Sequence, residues 1–204
     1  MNSTSNTLDV SRETLDRLKL YEQNLLKWTK KINIVAPSTI NDAWNRHFVD
    51  SAQVFDLRRP DAEKWLDLGT GGGFPGLVCA TIASEKAPDL EFTFVESDTR
   101  KCAFLRSVAR ELDLKLRVLC DRIENIQIEK ADVISARALS ALPNLLQLSQ
   151  RHGSDNCQYL FPKGQNWEEE VELARKKWQF SLTCHRSKTN TEAVILEIGN
   201  ISNA

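Results

Sequence analysis

Trp65-Leu66-Asp67-Leu68-Gly69-Thr70-Gly71-Gly72-Gly73-Phe74-Pro75-Gly76 is the stretch that decides the fold. Its first four residues set one acid among three large apolar side chains, the pattern of a short buried strand. The next five positions hold four glycines. Glycine has no Cβ and tolerates positive φ, so a strand that bends here brings its backbone close to a ligand before a helix starts. A turn that only seats a helix on a strand rarely needs four glycines, so the sequence predicts a cofactor-binding turn with a carboxylate beside it.

Downstream, residues 90–95 alternate in polarity, are rich in β-formers and end at Glu96. Ser97-Asp98-Thr99 then offers a cap, Asp98 or Thr99, for a helix whose buried face carries Leu105, Val108, Ala109 and Leu112. Residues 116–119 form a third strand running into Cys120-Asp121-Arg122-Ile123-Glu124, and residues 131–135 a fourth, ending in Ala136-Arg137-Ala138-Leu139. Strands alternating with helices from Lys64 onward predict an α/β domain over 64–204, a mostly parallel sheet with helices on both faces. Residues 1–63 read as an N-terminal helical extension: Leu15, Leu18, Tyr21, Leu25, Trp28 and Ile32 recur at helical spacing and would pack on the core. Lys27, Lys30 and Lys31 flank that stripe, as a solvated face or as contacts for RNA phosphates.

With 27 basic and 28 acidic residues the net charge is −1, so any nucleic-acid site must be a local patch. Residues 1–10 lack the basic start and apolar core of a signal peptide, and no apolar run approaches membrane-spanning length, which predicts a cytoplasmic protein. The cysteines, at 79, 102, 120, 157 and 184, are odd in number and widely spaced, pointing to buried free thiols rather than a disulfide framework or metal cluster. A monomer is expected, because the fold itself needs the apolar helical stripe.

Two frames compete for the ligand. Gly71-x-Gly73-x-x-Gly76 matches the turn of dinucleotide-binding dehydrogenases. Gly69-x-Gly71-x-Gly73, with Asp67 two residues ahead, matches the first motif of the Rossmann-like class I methyltransferases that use S-adenosylmethionine (SAM). Charge favours the second: Asp67 would repel a pyrophosphate and attract the sulfonium and ammonium of SAM. Glu96 at the end of the second strand suits a ribose diol in either case. After the fourth strand there is no Asp/Asn-Pro-Pro-aromatic run to hold an exocyclic amine, and no cysteine to attack a pyrimidine ring.

Beyond the loop with its Phe-Pro-Gly, the chain carries Asn33-Ile34, Arg46-His47-Phe48-Val49-Asp50-Ser51, Ser135-Ala136-Arg137-Ala138 and Lys163-Gly164. With these it resembles, over nearly its whole length, the bacterial small-subunit ribosomal RNA methyltransferase G family, also called glucose-inhibited division protein B. The resemblance implies transfer of the SAM methyl to N7 of a guanine in 16S rRNA, guanine 527. It further implies that Gly69 and Phe74 contact SAM, that Ile123 and Glu124 frame the adenine, and that Arg137 sits at the methyl-transfer end. Arg46, His47 and Lys163 are similar to basic positions on the family's RNA face. The family often has Asp at Glu96, commonly Leu at Phe74 and Pro162, and in many members Glu-Arg where this chain has Glu192-Ala193.

Guanine N7 has an in-plane lone pair and no proton, so His47 is expected to make a phosphate contact or a structural hydrogen bond rather than act as a general base. Arg137 would orient the base through O6, or else be a structural arginine paired with an acid such as Asp67. A non-catalytic SAM-binding assembly factor and a nicotinamide-dependent dehydrogenase are the alternative functions.

Overall fold

A computed structural model describes residues 8–204, with the side chains of Pro37, Ser38 and Asn41 excluded. Part of the expectation for residues 1–10 therefore lies outside the described residues. Helix α1 (Arg12–Thr29) starts where Ser11 accepts a hydrogen bond from Thr14 N and buries Leu18, Tyr21 and Leu25. A 3₁₀ turn (Pro37–Asp42) and a π-helical turn (Trp44–Val49) lead into α2 (Asp50–Asp56).

From there strands and helices alternate: β1 (Lys64–Leu68), α3 (Gly76–Lys86), β2 (Glu91–Glu96), α4 (Thr99–Glu111), β3 (Leu116–Cys120), β4 (Ala131–Ser135) and α5 (Leu142–Ser149). A short 3₁₀ turn then precedes β5 (Gly153–Lys163), α6 (Trp167–Arg175), β6 (Trp178–Arg186) and β7 (Val194–Asn203). The strands form one seven-stranded sheet in the order β3-β2-β1-β4-β5-β7-β6, in which β1 to β5 pair in parallel and β7 runs antiparallel to β5 and β6.

The two-residue period of the central strands divides the core into two layers. Trp65, Phe92, Phe94 and Val133 face α1 to α4, while Leu66, Leu68, Val95 and Ile134 face α5 and α6. Helices on both faces explain why β1 is buried from Trp65 to Leu68. Asp98 caps α4, accepting from the amides of Arg100 and Lys101. Because β2 and β4 flank β1 on opposite sides, a crevice opens beyond the carboxyl ends of these strands, where open α/β sheets bind ligands.

All five cysteines are free, and Cys79, Cys102 and Cys157 are buried as expected. Cys120 and Cys184 are exposed, a correction that follows from their positions on the edge strands β3 and β6. Among the described residues no helix is long and apolar enough to cross a membrane.

Candidate active site

The glycine loop joins the end of β1 to the start of α3. Gly69, Gly71 and Gly73 all have positive φ, at 62°, 56° and 93°. At Gly71 an added Cβ would meet nothing nearer than Gly69 O at 3.7 Å, so it would stand in the free space of the cavity the loop borders. Gly76 serves a different need. A Cβ there would lie 2.6 Å from Asp67 Oδ2 and 2.8 Å from its Cγ, so the absence of a side chain lets α3 start directly over that carboxylate. The Tyr21 hydroxyl of α1 donates to Gly72 O and fastens the loop from behind.

A cavity of 610 Å³ occupies the crevice, and Gly69, Gly71, Phe74, Glu96, Ile123 and Glu124 line it. Glu96 is 7% exposed; its Oε2 accepts from Gly71 N at 2.9 Å and its Oε1 from Asp98 N at 2.8 Å. One carboxylate thus fixes the loop to the end of β2 and still borders the cavity, where its remaining lone pairs can accept from a diol.

Asp67 and Gly73 are not on the cavity wall. Asp67 is fully buried beneath the loop: Oδ1 accepts from the Ser135 hydroxyl, which in turn accepts from Trp65 Nε1 at 2.8 Å, and Oδ2 accepts from Gly76 N at 3.3 Å. Burial pushes its pKa up to about 6, against the hydrogen bonds from Ser135 and Thr70 that lower it. At neutral pH it is mostly ionised, so it can influence a cation in the cavity through its field, without contact.

Arg137 follows β4 and borders both this cavity and a second one of 700 Å³. Its guanidinium donates to Arg46 O at 3.1 Å and to His47 Nδ1 at 2.8 Å, and its Cζ lies 4.9 Å from the centre of the Phe74 ring. The alternative of an Arg137–Asp67 pair is not what forms: among the described residues no carboxylate lies within ion-pair distance of Arg137. Phe74 gives Arg137 an aromatic face and stacks on the His47 ring at 4.8 Å. Ala138, next in sequence, has φ 54°, a left-handed conformation unusual for a residue with a Cβ.

A guanidinium can only donate, so His47 Nδ1 is an acceptor, and the ring is neutral with Nε2–H donating to Thr39 Oγ1 at 3.0 Å. Burial, then Arg137 and Arg46, lower its pKa to about 4. Both nitrogens are engaged and the residue is 9% exposed, which fits the structural side of the expectation for His47 better than a phosphate contact. Arg46 is exposed on the π-helical turn at the mouth of the second cavity. Lys163 lines that cavity too, but its ammonium donates to Ser140 O at 2.8 Å and pairs with Glu170 Oε2 at 2.7 Å. Basicity is visible in a sequence; this pairing is not.

A nucleoside-sized cavity over the strand ends, a strand-end acid and a positive-φ glycine loop define, with the fold, a SAM-dependent methyltransferase of Rossmann-like class I. A SAM-dependent methyltransferase from Aquifex aeolicus superposes with a TM-score of 0.59 over 81% of this chain and 98% of its own, at 15% identity. The chain belongs to the rRNA small subunit methyltransferase G (GidB) family, whose description matches residues 14–196. It is 50% identical to the ribosomal RNA small subunit methyltransferase G of Ruegeria sp. (strain TM1040), over 95% of this chain and 94% of that protein. The counterpart from Jannaschia sp. (strain CCS1) is 51% identical over 92% and 89%.

Proposed function

We propose that the protein transfers the methyl group of SAM to N7 of a guanine in 16S rRNA, guanine 527. The observation that carries this reading is the meeting of two cavities, of 610 and 700 Å³, at Arg137, Ala138 and Leu139. Two substrates bound side by side there would face each other across Arg137. The glycine loop, Glu96 and the segment at Ile123 and Glu124 would hold the cofactor, which when bound supplies an electrophilic methyl on a sulfonium.

The residues at the junction suit a nucleophile that needs no deprotonation. His47 is neutral and both its nitrogens are engaged, so no free base stands where the cavities meet. What this chain supplies is orientation, which lowers a barrier by up to about 7–11 kcal/mol when both partners are held in line. Arg137, fixed by Arg46 O, His47 and Phe74, is placed to donate to guanine O6 beside N7. Arg46 would contact the RNA backbone at the rim, and Lys163 would act inside the acceptor cavity.

Residues 1–63 are read as an extension of the 64–204 domain, and the enzyme as a cytoplasmic monomer, since α1 spends its apolar stripe on the core. Incubation of the protein with labelled SAM and small subunits lacking the modification, followed by nucleoside analysis, should yield 7-methylguanosine. Binding of SAM without labelled nucleoside would favour a non-catalytic assembly factor and refute the proposal.

A further inference from the structure

The second cavity contains an arrangement that the orientation of N7 does not use. Lys163, the last residue of β5, and Glu170, on α6, lie side by side in its wall, with Nζ 2.7 Å from Oε2 and side chains 9% and 25% exposed. Two of the three ammonium hydrogens go to Ser140 O and Glu170, leaving one donor. Glu170 Oε2 also accepts from Leu142 N at 2.7 Å, whereas Oε1 has no partner among the described residues. The cavity wall thus presents a donor next to an acceptor, held by the chain before any ligand arrives.

That pair matches one edge of one purine. In guanine the O6 acceptor adjoins the N1–H donor; in adenine the same two positions are an amino donor and an unprotonated nitrogen. Adenine would set donor against donor and acceptor against acceptor, a double mismatch that a site with buried polar groups penalises heavily. Asp50 and Asp42, the other carboxylates of this cavity, are occupied differently. Asp50 Oδ1 accepts the hydroxyls of Ser187 and Thr189 at 2.9 and 3.2 Å, and Asp42 Oδ1 accepts the Asn45 amide at 2.8 Å. Among the described residues neither has a lysine ammonium in ion-pair contact.

We propose that Glu170, with Lys163, selects guanine over adenine: the carboxylate accepts from N1–H and the ammonium donates to O6. This inference rests on the function proposed above. O6 lies between N1 and N7 and has two lone pairs, so Lys163 can take the N1 side and Arg137 the N7 side. A base read in this way turns N7 toward the wall shared with the cofactor cavity. Glu170 is then a specificity-determining residue in contact with substrate, in addition to closing the N-terminus of α5.

The test uses the full-length protein, labelled SAM and small subunits reconstituted with guanosine, inosine, 2-aminopurine ribonucleoside or adenosine at the target position. Inosine keeps O6 and N1–H and lacks only the 2-amino group, whereas 2-aminopurine lacks both features. The wild-type enzyme should methylate inosine within about threefold of guanosine in kcat/KM, and the other two bases at least about 100-fold less well. Glu170→Gln should lower kcat/KM for guanosine roughly 10- to 100-fold and narrow the preference over 2-aminopurine, with SAM affinity unchanged. A residue that only closes α5 would leave that preference unaltered, and this result would overturn the proposal. Rejection of inosine by the wild-type enzyme would overturn it without any variant. If guanosine itself is not methylated, the proposed function falls and this inference falls with it.

Discussion

Replacing Asp67 by Asn isolates what a buried charge beneath the glycine loop does. The carboxyl titrates at about 6 in the folded protein against 3.8 as its ordinary value, and burial is the main cause. An acid that is harder to ionise folded than unfolded costs stability as it ionises. The cost is absent below pH 4, grows between 4 and 6, and is complete above 6. The rise from 3.8 to about 6 amounts to about 3 kcal/mol. Asn avoids this cost; its oxygen takes Gly76 N and its amide donates to Ser135 Oγ, while the Ser135 hydroxyl hydrogen loses its acceptor, the same mismatch that the protonated carboxyl meets. Asp67→Asn should therefore be more stable than wild type by about 1–3 kcal/mol at pH 7–8, with the gain vanishing near pH 4; chemical denaturation across that range measures it. In return, affinity for SAM should fall. A charge acting across the loop at an effective dielectric of about 20 is worth roughly 1–2 kcal/mol, close to tenfold. S-Adenosylhomocysteine, which lacks the sulfonium, should bind the variant and the wild type more nearly equally in calorimetry. Equal losses for both ligands, or a stability difference that does not change with pH, would refute the reasoning.

Arg137→Ala should reduce the methylation rate about 100-fold while SAM affinity changes little, and unchanged turnover would rule out its role as orienter of the base. Gly76→Ala, a change that elsewhere in a helix stabilises by about 1 kcal/mol, should here destabilise by roughly 1–3 kcal/mol, because the new Cβ would crowd the locked Asp67 carboxylate; a thermal melt reads the sign. Activity should be flat from pH 6 to 8 as far as His47 is concerned, since its pKa of about 4 leaves it neutral throughout that range. With SAM saturating, so that the ionisation of Asp67 near 6 does not enter through cofactor affinity, a rate tracking one histidine ionisation near pH 6.5 would contradict the assigned tautomer. Because the unfolded imidazole ionises near 6.5, His47 should favour the folded state fully above that pH, and less as pH falls toward 4.

The elements that border the glycine-loop cavity are legible in sequence because each is governed by local physics. β4 covers the same residues, 131–135, that the sequence marks as a strand, Asp98 caps α4 through its own i+2 and i+3 amides, and the bend after β1 is written in glycine. Contacts formed between distant segments are not legible. Ser135 reaches Asp67 across 68 residues, Arg137 reaches His47 across 90, and Asp50 holds Ser187 across 137. Asp67 shows the limit most clearly. Its sequence position suggests contact with a cation, but the strand's two-residue alternation and the closure of α3 over Gly76 put it under the floor. The π-helical turn at Trp44–Val49, which presents Arg46 outward and His47 inward, has no signature in residue type.

The hydrogen bond from Tyr21 to Gly72 O makes the backbone of the glycine-rich bend depend on a helix more than 50 positions upstream. Phe74, in the same bend, stacks on the Tyr21 ring at 5.4 Å. A polypeptide trimmed to begin at Lys64 would keep every residue of the sheet yet lose the brace behind its glycine loop. Residues 64–204 would then not make an excisable module, and any graft or truncation that spares the glycines but discards the first helix would remove the contacts that hold their backbone from behind.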